Sequence, residues 1–192
     1  MKDTKEKNKK ISTSTMAVVA LMTAVVCVLS PFSIAIGPVP ISLATFGIYL
    51  TIMILGRKRA TMVCLMYLLM GFIGLPVYSG FMGGPARLFG PTGGYLLGYL
   101  LLTMISGFIV DKFPKNCYLC GLGLAVGTVC CYIVGTIWLA YHMEISFLEA
   151  FMVGAVPFLI GDIVKMTALH LVYILKMDIS LGLKYVEMQQ FR

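Results

Sequence analysis

The chain has 192 residues, of which 59% are hydrophobic and only 12% are charged, and its net charge is +7. A soluble domain carries roughly 25% charged residues, so a water-soluble fold of this length is unable to hide so much apolar surface. The composition excludes an ordinary cytosolic enzyme, a disordered chain and a nucleic-acid-binding module. It predicts a protein whose solvent is largely lipid.

Charge-free stretches long enough to cross a bilayer, about 20 residues each as helices, mark the predicted membrane spans. The first charge-free stretch follows a basic cytoplasmic tail, residues 1–15. It contains two spans, which are separated by Gly37-Pro38-Val39-Pro40. We predict an all-α integral membrane protein, a single membrane domain over residues 1–192 with a bundle of six transmembrane helices. The predicted spans lie at 16–36, 42–55, 60–76, 92–110, 117–141 and 149–175.

The positions of the Lys and Arg residues indicate the orientation of these spans. The chain has 15 Lys and Arg residues. If the N-terminus is placed in the cytoplasm, Arg87 is the one that lies on the outer side, Lys165 lies within the membrane, and all the others are cytoplasmic. The positive-inside rule therefore predicts that both termini are cytoplasmic. A cleavable signal peptide is the alternative interpretation of the first span, which is longer than the usual ~7–15-residue apolar core of such peptides.

Motifs for catalysis and nucleotide binding are absent from the sequence. There is no G-x-x-x-x-G-K-[ST] loop, so transport driven by ATP would need another chain to hydrolyse the ATP. There is no H-E-x-x-H or G-x-S-x-G motif, and we expect no enzyme activity. The six cysteines lie in or beside apolar runs and are interpreted as small buried hydrophobes, so we predict no metal site and no cofactor.

The segment at 74–95 is rich in Gly and Pro but also carries apolar and aromatic residues. Such a density of Gly and Pro excludes a helix, and non-helical backbone near a membrane must be buried in protein or line a cavity. We predict a folded loop that caps a pocket, with Arg87 placed to meet an anion at its mouth. A plain interhelical loop is the alternative.

Two charged residues, Asp162 and Lys165, lie deep within the sixth predicted helix. They are three residues apart and share a helix face, and each charge costs at least ~2.5 kcal/mol at mid-bilayer. The pair must therefore face the bundle interior or a wet cavity, and we predict a ligand or ion site there. The alternative is a neutralising ion pair that only holds helices together.

Aromatic and small residues mark two further surfaces. Trp138 and Tyr141, at the end of the fifth helix, are either membrane-interface residues or packing partners for an apolar ligand ring. Ala20 and Ala24 are four residues apart on the first helix, a spacing at which small residues let helices approach closely in lipid. On its own this spacing indicates helix packing.

Four sequence blocks resemble the BioY family, whose members are biotin-binding S components of energy-coupling factor (ECF) vitamin transporters. The blocks are G-P-V-P-I-S-L at 37–43 with Thr45-Phe46, G-L-P-V at 74–77, G-P-T-G-G-Y-L-L-G at 90–98, and Gly161-Asp162 with Lys165. The resemblance covers nearly the whole chain after residue 15. It implies an S-component-like bundle with a substrate pocket near the outer side, closed by the first and third loops.

The resemblance also implies function and partners. It implies high-affinity biotin uptake across the bacterial cytoplasmic membrane, with a transmembrane coupling subunit and two ATPase subunits. It implies that Ala20 and Ala24 form the docking face for the coupling subunit. The alternatives are an S component for a different vitamin, and a membrane scaffold that transports nothing.

Ligand-binding residues follow from the resemblance and from the chemistry of biotin. Asp162 and Lys165 match the ligand-contacting pair of the family, with Asp162 accepting from the ureido N–H groups and Lys165 donating to the ureido carbonyl or the carboxylate. Arg87 is placed to meet the carboxylate. The other residues predicted to bind the ligand are Phe46, Tyr78, Gly84, Trp138 and Tyr141.

Overall fold

The computed structural model describes residues 13–34, 39–114, 116–159 and 161–169. Helix α1 (Thr13–Leu29) leads into an antiparallel ribbon of β1 (Ser33–Ile34) and β2 (Ile41–Ser42), with Ser33 opposite Ser42. The helices that follow are α2 (Ala44–Phe72), α3 (Pro85–Leu88), α4 (Gly93–Lys112), α5 (Cys117–Met143) and α6 (Phe147–Gly154). Helical backbone continues after α6 at 156–159 and 161–169.

The prediction of an all-α membrane bundle is confirmed. In the part of the chain that the structure describes, Gly93–Lys112, Cys117–Met143 and Phe147–Leu169 are long and apolar enough to cross a membrane, and Thr13–Leu29 is a shorter apolar helix. We refer to Phe147–Leu169 as the sixth span. The predicted tail up to residue 12, the Gly37-Pro38 pair and the sixth span beyond residue 169 lie outside the described residues.

The first predicted span, 16–36, is longer than the helix that forms. Helix α1 ends at Leu29, two residues before Pro31. Proline has no backbone N–H and restricts the residue before it, so a helix rarely continues through it. Residues 33–34, expected to be helical, are therefore in the β ribbon.

The second and third predicted spans, 42–55 and 60–76, form the single element α2, which breaks at Gly56. Gly56 has φ 70° and ψ −177°, a conformation that side-chain-bearing residues rarely adopt. The backbone N–H of Arg57 donates to Oδ2 of Asp111 on α4 at 3.1 Å, so a distant side chain caps the second half of α2. Residues 57–59, expected to be a loop, are helical, and α2 ends at Phe72.

Local capping explains where α5 and the sixth span begin. Asn116 accepts a hydrogen bond from the backbone N–H of Leu119 at 3.2 Å and caps α5. Ser146 and Glu149 form a reciprocal capping box at the start of α6. These side chains satisfy backbone donors that a helix leaves unpaired at its N-terminus.

Helix α4 is central to the bundle, because it packs against both α2 and α5. Its N-terminus approaches α5 closely at Gly94, where a Cβ atom would overlap the side chain of Trp138. The absence of a side chain at Gly94 therefore lets the two helices approach closely at this end.

Two loops meet at one end of the bundle: the first loop (residues 30–43) and the third loop (residues 73–92). The prediction that the segment at 74–95 contains no helix is wrong, because α3 lies within it and α4 begins at Gly93. Proline fits the first positions of a helix, so Pro85 starts α3 instead of preventing it. The backbone N–H of Gly80 donates to the carbonyl oxygen of Pro31 at 3.0 Å. The rings of Phe32 and Phe81 meet edge to face with centroids 5.7 Å apart. The two loops thus contact each other directly through backbone and side chains.

Candidate functional site

A cavity lies among α2, α4, α5 and the sixth span, beneath the first and third loops. The space inside it that is open to a water-sized molecule is about 50 Å³. The loops contribute Val39, Ser79 and Arg87 to its lining, and the helices contribute residues such as Leu96 and Phe158.

Asp162, on the sixth span, lines this cavity and is only 2% exposed. Its Oδ1 accepts from the hydroxyl of Thr45 at 2.9 Å and from Nζ of Lys165 at 3.1 Å. Its Oδ2 accepts from the phenols of Tyr132 at 2.5 Å and Tyr49 at 3.2 Å. A carboxylate offers about four acceptor positions, so protein donors fill the acceptor capacity of Asp162.

Lys165 forms the ion pair with Asp162 that their spacing predicted. Its Nζ donates to the backbone oxygen of Ser42 at 2.7 Å and to Oγ1 of Thr45 at 2.8 Å, besides Oδ1 of Asp162. An ammonium group has three donors, and all three are used. Lys165 therefore joins the sixth span to β2 and to the start of α2.

Sequence reasoning missed the hydroxyl groups that surround Asp162. Thr45 and Tyr49 are four residues apart on α2, and Thr128 and Tyr132 are four apart on α5, so each pair lies on one helix face. The phenol of Tyr49 lies 2.8 Å from Oγ1 of Thr128, which links the two faces. Hydroxyl-bearing residues four positions apart within apolar spans are the sequence signal that could have identified these partners of Asp162.

Arg87, predicted to lie at the pocket mouth, lines the cavity from α3 and is half-buried. Asp162 and Lys165 form the one ion pair found among the residues that the structure describes. Arg87 therefore has no carboxylate partner in this part of the chain. Its guanidinium group brings positive charge to the loop side of the cavity.

Tyr78, another predicted ligand contact, also lines the cavity. Its hydroxyl donates to the backbone oxygen of Leu68 at 2.7 Å, and its ring packs edge to face on Tyr67 with centroids 5.6 Å apart. The hydroxyl of Tyr78 is thus occupied within the protein. What this residue offers a ligand is the surface of its ring.

Five predicted ligand contacts lie outside the cavity lining, and Lys165, whose donors are used within the protein, is one of them. Trp138 faces the third loop, because its Nε1–H donates to the backbone oxygen of Gly90 at 2.9 Å. Tyr141 is 82% exposed, Phe46 packs against the apolar core, and Gly84 precedes α3 with φ 91°. A ligand-binding role for these five residues stays a prediction.

The predicted docking residues Ala20 and Ala24 are exposed on α1. They line an apolar lateral groove whose opposite wall comes from the second half of α2 and includes Met62, Met66 and Met70. Small residues on one wall and flexible methionines on the other leave space beside α1. The groove lies on a different part of the surface from the cavity that contains Asp162.

Comparisons with known proteins agree on one family. The model of the BioY family matches residues 4–179. The probable biotin transporter BioY of Pyrococcus horikoshii is 38% identical over 150 residues, covering 78% of this chain and 88% of that protein. The biotin transporter BioY of Thermotoga maritima is 34% identical over 170 residues, covering 88% of this chain and 95% of the relative.

The fold is similar to that of a solved membrane protein. The crystal structure of the S-component for biotin from an ECF-type ABC transporter superposes with a TM-score of 0.75 at 30% sequence identity. The superposition covers 83% of this chain and 88% of that structure.

Proposed function

The chain belongs to the BioY family, and we propose that it is the biotin-binding S component of an ECF transporter. The observation that carries this proposal is the cavity, which has a buried charged network at Asp162 and a half-buried cation at Arg87. Biotin has a polar ureido ring at one end, an apolar sulfur ring and tail, and a carboxylate at the other end. The polar groups at its two ends suit the charged residues of this cavity.

The ureido ring is proposed to bind at the end of the cavity where Asp162 lies. Since four protein donors already occupy the oxygens of Asp162, a ligand N–H group has to replace one of them. Thr45 and Tyr132 are the hydroxyl donors that also line the cavity, and a bound ligand reaches them first. Binding is then an exchange of hydrogen bonds rather than the filling of an unpaired group.

The carboxylate of biotin is proposed to bind Arg87. A guanidinium group forms strong charge-assisted hydrogen bonds with a carboxylate, and Arg87 has no carboxylate partner within the described residues. The apolar sulfur ring and tail are proposed to pack between these two ends. Phe158 and Tyr95 line this region and stack on each other with ring centroids 6.5 Å apart.

Transport is proposed to require a transmembrane coupling subunit and two ATPase subunits, the partners that the resemblance to the family implies. The sequence has no nucleotide-binding loop of its own, so another chain would hydrolyse the ATP. The exposed face with Ala20 and Ala24 is the proposed docking site for the coupling subunit. The positive-inside rule supports a topology with both termini cytoplasmic. We infer that the protein works in the bacterial cytoplasmic membrane.

Calorimetric titration of the purified protein in detergent tests this function directly. We expect saturable one-to-one binding of biotin and no heat from riboflavin or thiamine. Binding of another vitamin in place of biotin would retain the fold and change the substrate. The absence of binding to all three, by protein shown to be folded, would overturn the proposal and favour a scaffold.

A further inference from the structure

Tyr99, on α4, has a buried hydroxyl group that finds no hydrogen-bond partner among the residues that the structure describes. The residue is 8% exposed and lines the cavity. No residue that the structure describes hydrogen-bonds to its hydroxyl. The large majority of buried side-chain polar atoms have a partner, so an exception of this kind needs an explanation.

Other buried tyrosines in the bundle show how unusual Tyr99 is. Tyr67 hydrogen-bonds to Ser30 at 2.5 Å, and Tyr78 donates to the backbone of Leu68. Tyr49 and Tyr132 both donate to Asp162, as described above. The protein thus provides hydrogen-bond partners for these four phenols. For the phenol of Tyr99, which lies one helical turn after Tyr95, it provides none within the described residues.

We propose that the hydroxyl of Tyr99 is a ligand-binding group that donates a hydrogen bond to the ureido carbonyl oxygen of biotin. This inference rests on the proposed function. Asp162 is suited to the N–H groups of the ligand, and Arg87 is suited to its carboxylate. The ureido carbonyl is the remaining strong acceptor of biotin, and a phenol is a good donor for it.

Replacing Tyr99 with Phe keeps the ring and removes only the hydroxyl. In calorimetric titration we expect the Tyr99→Phe variant to bind biotin about tenfold more weakly than the unchanged protein. The midpoint of thermal unfolding of the ligand-free protein should not fall, because no hydrogen bond within the described protein is removed. Weaker binding without lower stability distinguishes a ligand contact from a residue that only supports the fold.

Tyr67→Phe is the matched control, since this phenol is buried but hydrogen-bonds to Ser30 and does not line the cavity. It should show the opposite pattern, a lower unfolding midpoint with biotin affinity unchanged. The same effects in Tyr99→Phe would overturn the proposal, and so would biotin binding within twofold of the unchanged protein.

Two analogues identify the ligand atom that Tyr99 contacts. Desthiobiotin keeps the ureido group but lacks sulfur, and biotin methyl ester lacks the charged carboxylate. The loss caused by Tyr99→Phe should be the same for both analogues as for biotin. If the loss of affinity disappears with either analogue, the contact lies at the sulfur ring or at the carboxylate, and the assignment is overturned. If the unchanged protein fails to bind biotin at all, the proposed function is rejected instead.

Discussion

The phenol of Tyr132 lies 2.5 Å from Oδ2 of Asp162, and both residues line the same cavity. The two residues come from different helices, α5 and the sixth span. Tyr132 thereby occupies an acceptor position that a ligand N–H group would need. The charge of Asp162 is kept hydrogen-bonded in a buried place, which lowers the cost of holding it there before a ligand arrives.

Replacing the carboxylate of Asp162 with an amide should weaken biotin binding. In Asp162→Asn, one acceptor oxygen becomes a donor that faces the phenols, and Lys165 loses its counter-charge. We expect affinity for biotin to fall about 10- to 100-fold in calorimetric titration. Asp111→Asn is the matched control, because Asp111 caps the second half of α2 and does not line the cavity. Unchanged affinity in a folded Asp162→Asn variant would remove Asp162 from the binding site.

Removing the charge of Lys165 should destabilise the protein through Asp162. Lys165→Met leaves a buried carboxylate without its cation, and breaking such a pair typically costs about 3–5 kcal/mol. We expect a lower midpoint of thermal unfolding in detergent. The double variant Asp162→Asn with Lys165→Met should be more stable than Lys165→Met alone, since no unpaired charge remains. A Lys165→Met variant as stable as the unchanged protein would contradict the expected destabilisation. If this variant binds biotin normally, the role of Lys165 is purely structural.

Arg87 should recognise the charged end of the ligand. Arg87→Gln keeps a polar side chain but removes the charge, and we expect biotin to bind about tenfold more weakly. Biotin methyl ester, which lacks the negative charge, should bind the variant and the unchanged protein equally. An equal loss for biotin and for the ester would show that Arg87 shapes the loop without contacting the carboxylate.

The face of α1 with Ala20 and Ala24 should be needed for uptake but not for binding. Leucine at both positions fills the lateral groove and prevents close approach of another helix. Cells that produce this variant together with the coupling subunit and the ATPases should lose uptake of labelled biotin. Calorimetric titration of the purified variant should give the same affinity as the unchanged protein.

A control for this experiment replaces an apolar residue that is exposed elsewhere. Val129→Leu changes the exposed face of α5 and should leave both uptake and binding intact. If uptake persists in the double leucine variant, the coupling subunit docks on another surface or the protein works alone.

Composition and local spacing were sufficient for several features of this protein. A low charge content and long apolar runs predict lipid-embedded helices, because both follow from the cost of placing charge in hydrocarbon. The three-residue spacing of Asp162 and Lys165 predicts their contact, because the period of a helix determines which residues share a face. The Gly- and Pro-rich segment at 74–95 predicts the third loop, because these residues favour turns, although it does not predict the short helix α3 within that loop.

The tertiary structure alone decided which groups meet across the bundle. Thr45 reaches Asp162 from 117 residues away, and Trp138 bonds to the third loop instead of lining the cavity. In a soluble protein the apolar stripe of a helix reveals its inward face, but helices in lipid are apolar on all sides, so periodicity leaves their rotation undetermined. Rotation and packing of the helices determine that Asp162 is surrounded by donors while the hydroxyl of Tyr99 finds no partner in the described protein.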